Sequence, residues 1–530
     1  MKHEIHMNIR ILAVPFLVYI AISSSCSSVQ KKINKDELSA VPNIDQVGAQ
    51  LLPAEIAPIK APFPMPQLQR PKFPAYAVSI IDFGAKAGGK VTKSIQQAID
   101  QTNARGGGKV IIPKGKWNSG RISLKSNVNL HLAEGAELFF SGEIADYLPV
   151  VFTRFEGVEV MSLGACIYAN RQENIAVTGK GKLIGPAQGG SVRKQVMELD
   201  VIENVVLAST PVEKRIYEGH NGTPIFLPMF ISPINCKNVL IEGISLENTA
   251  FWNVVPVYCE NVIIRGITVN SVGIPRGDGI DIESSKNVLI EYCTLSTGDD
   301  CFTIKAGRGE DGLRVNKPTE NVVVRFSLAK KGHGGITCGS ETASMIRNLS
   351  VQDCVFDNTT VGIRFKTRRP RGGGGENLYY ERIRLSNLTG AAFNWDMLGS
   401  ATYVGKLSER SRLAVNQLTP NYKNIFASNI IAENVGQFVK VNGIPESPLK
   451  NVRIENVISK SKNLFSAADA VGFVIKNAKL ESADPIITLT DTKNFVFQNV
   501  NFINPTRKIE LKVIGDYSEN PKFKNSPVKW

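Results

Sequence analysis

A short segment recurs along most of the chain, and that recurrence limits the possible folds more than any other feature. "CKNVLIEGISLEN" from Cys236 returns as "CENVIIRGITVNS" from Cys259 and as "SKNVLIEYCTLST" from Ser285. Looser copies include "TENVVVRFSLAK", "IRNLSVQDCVFDN" and "LKNVRIENVISKS". The marker residues Asn238, Asn261, Asn287, Asn321, Asn348 and Asn377 follow one another at steps of 23, 26, 34, 27 and 29, with Asn424, Asn451 and Asn494 further on. Each copy holds two alternating apolar pairs separated by a register break. Val239 and Ile241 precede Gly243 and are followed by Ile244 and Leu246, while Val262 and Ile264 precede Gly266 and are followed by Ile267 and Val269. Alternation means strands, and a break at glycine means a corner. A unit this short cannot bury its own apolar face, so copies must stack, and parallel stacking gives an all-β solenoid. Asparagine suits the corner because it tolerates left-handed φ and can hydrogen-bond to the asparagine of the next coil. A β-propeller has longer and more even repeats.

The rest of the chain divides around this frame. "SIQQAID" places Ile95, Ala98 and Ile99 on one helical stripe, with Ser94 and Gln97 spaced as a capping box, so a short helix is expected to cap the solenoid's N-terminal end. Residues 27–74, with Pro58, Pro62, Pro64, Pro66 and Pro71, read as a proline-rich tether ahead of a domain at 75–530. At residues 1–26, Lys2 and Arg10 precede an apolar run from Ile11 to Ile22, too short to span a bilayer and suited to a signal peptide. "ISSSC" then resembles a bacterial lipobox ending at Cys26. Export is expected, with a lipid anchor on Cys26 as the membrane contact, in the periplasm or at the outer membrane. Seven further cysteines without a CxxC pair give no zinc signature and no complete disulfide framework. Cys293 and Cys354 fall at core positions of the repeat, and Cys236 and Cys259 are either stacked thiols or a bridge. Lys and Arg exceed Asp and Glu by 62 − 48 = 14, so the surface attracts anions. No nucleic-acid motif accompanies that charge, and an acidic polysaccharide is drawn by the same field.

Polar residues that do not serve solenoid packing gather on consecutive coils. "RGDGIDIES" carries Asp278, "GDD" carries Asp299 and Asp300, "KGHGGITCGSE" carries His333, and "GIRFKTRRPRGGGG" carries Arg364 and Lys366. Counted from the preceding marker asparagine, Asp278 lies at 17, Asp299 at 12, Asp300 at 13, His333 at 12, Arg364 at 16 and Lys366 at 18. All lie past the second strand of their coil, on one side of the stack. Singly each has an ordinary reading: a solvated turn, a surface histidine, an outward charged strand, and Asp281 as a turn residue. Together, acids, an imidazole and a cation pair suit cleavage of a glycosidic bond in an anionic sugar chain. One acid protonates the leaving oxygen, another activates water, and cations hold a uronate carboxylate.

In these motifs the chain resembles the polygalacturonases, glycoside hydrolase family 28, from about residue 78 onward. "DGIDIES", "TGDDCFTIKAG", "GHGGITCGSE" and "GIRFKT" match that family's active-site blocks in order. The resemblance implies a right-handed parallel β-helix and inverting, metal-free and cofactor-free hydrolysis of α-linked galacturonan in pectin, by a monomer. It implies Asp299 as general acid, Asp278 and Asp300 as the groups that activate water, His333 as the residue that sets their proton distribution, and Arg364 with Lys366 as the galacturonate clamp. Arg276, Leu227 and Val255 depart from the family pattern, which leaves the sugar on the non-reducing side of the cut open. The stretch before the repeats, with "PAQGGSVRKQ" and "IYEGHNG", points to a walled groove and exo-action. Rival readings are a rhamnogalacturonan hydrolase on the same fold, a calcium-dependent pectate lyase and a non-catalytic pectin-binding solenoid.

Overall fold

The computed structural model describes residues 33–194, 201–220, 223–506 and 508–528; the signal and lipobox readings at residues 1–26 lie outside them. The chain is a right-handed parallel β-helix. Strand Lys237–Glu242 pairs in parallel with Glu260–Arg265, that strand with Lys286–Glu291, and that one with Thr319–Arg325. Register holds residue for residue, so Val239, Val262, Val288, Val322 and Leu349 form one column, each at most 2% exposed. Burial of such β-branched columns is the main source of stability, since each coil covers the apolar end of the one before.

The marker asparagines do what their side chains permit. Asn238, Asn261, Asn287, Asn321 and Asn348 have φ between 55° and 59°. Each donates its amide to the carbonyl oxygen of the preceding marker at 3.0–3.2 Å. The ladder begins earlier than the repeat suggested, since Asn174 donates to Asn127 at 3.0 Å. The second corner is left-handed whether or not glycine occupies it: Gly266 has φ 62°, and Tyr292 and Phe326 one and two coils later have φ 52° and 50°. Those two rings stack with centroids 5.1 Å apart, which offsets the cost of a bulky residue in that region.

Helix Thr92–Ala104 closes the N-terminal end, burying Ile95, Ala98 and Ile99. The expected capping box does not form. The helix starts at Thr92, so Ser94 already lies inside the first turn, and the Thr92 hydroxyl instead accepts from the Gly120 amide at 2.7 Å.

Residues 33–74 are laid along the solenoid rather than acting as a tether. Ile59 and Leu68 pack on Leu240, Ile263 and Leu289, and Val47 packs on Leu328 and Val355. Prolines remove amide donors but leave carbonyls, and solenoid arginines use these: Arg265 donates to Pro53 at 3.0 Å and Arg325 to Ala57 at 2.8 Å. Arg70 returns the contact with a bidentate pair to Glu242, both bonds at 2.8 Å. All seven cysteines from Cys166 to Cys354 are free and buried, so Cys236 and Cys259 are stacked thiols.

Candidate active site

Four adjacent rungs carry the polar cluster. Asp281, Thr303, Thr337 and Arg364 occupy one column in parallel register, on strands Ile280–Glu283, Phe302–Lys305, Leu328–Cys338 and Thr359–Lys366. The turns entering these strands bring up the acids. Gly298 allows the tight approach that places Asp299 and Asp300, because a Cβ there would meet the Ile274 carbonyl at 2.0 Å. Gly334, beside His333, leaves room for the Asp300 carboxylate, which a Cβ would meet at 2.6 Å.

One carboxylate oxygen each from Asp278, Asp299 and Asp300 lie within 4.8 Å of one another. Asp278 and Asp300 are buried, whereas the Asp299 side chain is 26% exposed and faces outward. His333 Nδ1 lies 3.1 Å from Asp299 Oδ1. Arg364 Nη1 and Lys366 Nζ reach the two oxygens of Asp300 at 3.1 and 2.8 Å. The structure therefore brings all six predicted residues together. The cation pair departs from a free clamp: both groups rest on Asp300 while staying about a quarter exposed, at 26% and 22%.

Three residues escaped the sequence reading. Lys305 is fully enclosed, with Nζ 3.9 Å from Asp278, 3.6 Å from Asp281 and 3.2 Å from Glu341, and 4.3 Å from the centre of the Trp252 ring. The signal for it was present, since Lys305 follows Asn287 by the same 18 residues that separate Lys366 from Asn348. Asp281 is not a turn residue: it is a buried strand residue that accepts a hydrogen bond from the Thr303 hydroxyl. Glu341 lies beneath the site, bonded to Lys305, Arg308 and Arg371.

These neighbours separate the carboxyls electrostatically. Burial pushes the Asp278 carboxyl well above the usual range, the Asp281 and Asp299 charges add to this, and Lys305 only partly opposes them. Burial also raises Asp281, to about 7, against the pull of Lys305 and Thr303. Asp300 goes the other way: burial works to raise it, but Lys366 and Arg364 outweigh burial and keep it ionised. The proton that crowding demands thus rests on Asp278, on the least compensated side of the trio. His333 is raised from its ordinary value chiefly by its bond to Asp299, with burial opposing. Its charge is accordingly kept to higher pH than that of a free imidazole and is lost as pH rises through the shifted value. In Asp299→Asn the His333 titration should move back down toward 6.5; NMR titration of the ring protons in both proteins reads this, and an unmoved titration would remove the pairing.

The carboxylate trio has the donor chemistry of a cation site. Asp300, however, is already neutralised by two cations at hydrogen-bond distance, and Lys305 stands behind Asp278, so the charge a divalent ion would supply is already present. Segments outside the repeats reach the site's rim. Glu203, on helix Val201–Leu207, pairs with Arg308, Arg368 and Arg371 at 3.2, 3.1 and 3.4 Å. Glu156, in the hairpin of strands Val151–Phe155 and Val158–Ser162, pairs with Arg308 at 2.6 Å and Arg276 at 3.4 Å. Val255 and Leu227 sit among apolar residues of the neighbouring cluster.

A parallel β-helix with clustered acids and a cation pair in one trough is the architecture of a glycoside hydrolase, and the comparisons with known proteins agree. Residues 218–458, which include all the site-bearing coils, match the model of the glycosyl hydrolases family 28. A probable polygalacturonase of Vitis vinifera is 28% identical over 396 residues, 72% of this chain and 74% of the relative. An exo-poly-alpha-D-galacturonosidase of Dickeya chrysanthemi is 24% identical over 81% of this chain and 71% of its own length. Among solved structures, a hyperthermoactive exopolygalacturonase from Thermotoga maritima superposes with TM-score 0.63 at 29% identity, covering 84% of this chain and 94% of that one.

Proposed function

We propose that the protein hydrolyses α-1,4-galacturonosyl linkages of pectin, acting as an exported monomer held by a lipid on Cys26. The observation that carries this reading is the trio Asp278, Asp299 and Asp300, with oxygens within 4.8 Å, between His333 and the pair Arg364 and Lys366. A water can hydrogen-bond to two such oxygens at once, because two bonds of about 2.8 Å span up to about 5.6 Å. Asp300, kept ionised by its cations, and Asp278 orient and deprotonate that water. Asp299, the outward-facing member, receives through the bridging water the proton that rests on Asp278 and delivers it to the leaving oxygen, which frees Asp278 to take the attacking water's proton, and His333 steadies the Asp299 charge afterwards. Inversion, which the family resemblance implies, requires the water held by Asp278 and Asp300 to attack the face of the sugar opposite the oxygen that Asp299 protonates. Arg364 and Lys366, partly exposed, grip the carboxylate of the galacturonate beyond the scissile bond.

Exo-action is supported by Glu203 and Glu156, whose pairs with Arg308, Arg276, Arg368 and Arg371 fasten non-repeat segments to the rim. De-esterified polygalacturonan digested by the protein should yield saturated mono- or digalacturonate from the first time points, in the presence of chelator. Chromatographic sizing and absorbance at the unsaturated-uronide band check this. A ladder of long products would remove the exo mode, chelator-sensitive unsaturated products would indicate a lyase, and cleavage of rhamnogalacturonan alone would move the substrate.

A further inference from the structure

We propose that the cleft continues past the coil of Arg364 and Lys366 into a second anion subsite, built by Lys440 and Lys462, which takes carboxylates of galacturonate units further along the same chain. This rests on the galacturonan reading above. Register places the residues: Arg364 pairs with Asn394 and Asn394 with Lys440, so Lys440 stands in the same column two rungs on. At the usual strand spacing that is about 10 Å from Arg364, a distance about two sugar units cover. Lys462 lies in the following coil, next to Asn463, which pairs with Gln437, and four residues before Ser466, the register partner of Lys440.

Lys440 and Lys462, with Asn394, Gln437 and Asn463, border a concavity of about 360 Å³ that has no carboxylate in its lining. Gly390 and Gly436 form part of its wall, where a Cβ would strike the carbonyls of Thr360 and Thr389 at 2.7 and 2.4 Å. Gln437 is steadied by a bond to the Ser466 hydroxyl at 2.9 Å. The arginines nearest this end have acid partners, Arg369 in Glu446 and Arg410 in Asp469, and so stand neutralised. Among the described residues Lys440 and Lys462 have none, and both are exposed. A solvated lysine needs no cleft; Lys440 in the column of the catalytic trough, with Lys462 on the far wall of the same concavity, matches a polyanion lying along it.

The test compares wild type with the double variant Lys440→Ala, Lys462→Ala on digalacturonate and on long polygalacturonan at low salt. Exposed charge contacts each contribute modestly, so binding to the long chain should weaken roughly 3- to 20-fold, read as KM and by calorimetry. The loss should stay under about two-fold on digalacturonate, shrink toward none at about 0.5 M salt, and disappear on methyl-esterified polymer. An equal loss at every chain length, or none on the polymer, overturns the subsite while leaving the galacturonan reading in place. A wild type that neither binds nor cleaves galacturonan overturns both.

Discussion

Asp299→Asn is expected to cut turnover on polygalacturonan by about 10²–10⁴-fold, the usual contribution of a general acid, with Tm unchanged. Its side chain is partly exposed and, among the described residues, is bonded to the side chain of His333, so the amide replaces it without opening a cavity or stranding a buried charge. Asp300→Asn should lose activity on a similar scale but also lower Tm. It is fully buried and is the ion partner of both Arg364 and Lys366, which would be left facing each other without a counter-charge. Initial rates and thermal denaturation of the two variants separate chemistry from scaffolding. An Asp299→Asn protein with more than a tenth of wild-type turnover would remove the acid role, and an Asp300→Asn protein as stable as wild type would contradict the charge balance described here.

The fold was legible because the constraint that makes it is periodic. A coil must present the same apolar column to its neighbours, so Val239, Val262 and Val288 fall at one offset and their corner asparagines at another. The site was legible for the same reason: Asp299, His333 and Lys366 sit at fixed offsets past the markers, and the stack converts offsets into proximity. Where periodicity lapses, so does legibility. Residues 33–74 resemble a linker by composition, and their attachment depends on Ile59 and Leu68 meeting side chains more than a hundred residues away. Asp281 resembles a turn residue because a buried carboxylate is costly, and only the Thr303 hydroxyl and Lys305 ammonium explain its tolerance. Lys305 was hidden by its own neighbourhood: in "CFTIKAG" it reads as the outward end of a strand, and the wall that encloses it includes Trp252 and Glu341 from other coils. The proton's resting place is illegible for the same reason. Crowding alone predicts that one of three acids stays neutral, but which one depends on where Arg364, Lys366 and Lys305 point.

Lys305→Met should be the most damaging change outside the carboxylates themselves, and its effect should depend on pH. Methionine keeps an apolar stem against Trp252 but removes the cation shared by Asp278, Asp281 and Glu341. Glu341 retains Arg308 and Arg371, so the uncompensated charge falls on Asp278 and Asp281. Removing one partner of a buried ionic group costs about 3–5 kcal/mol when the other stays charged. These carboxyls avoid part of that cost by protonating. Both are already raised in the native protein, and without Lys305 they rise further. An acid whose folded value lies above its unfolded one stabilises the fold at low pH and loses that contribution as pH climbs toward the raised value. The Tm deficit of Lys305→Met should therefore be small near pH 4 and grow steadily to about pH 8, whereas the turnover deficit, which comes from Asp278 holding its proton too firmly to serve as a base, should be largest at low pH and ease as pH rises. Calorimetric scans of both proteins across that range give the slope directly. A deficit that is constant with pH would mean that Lys305 packs without balancing charge, and the account of why Asp278 and Asp300 titrate apart would have to be rebuilt on Arg364 and Lys366 alone.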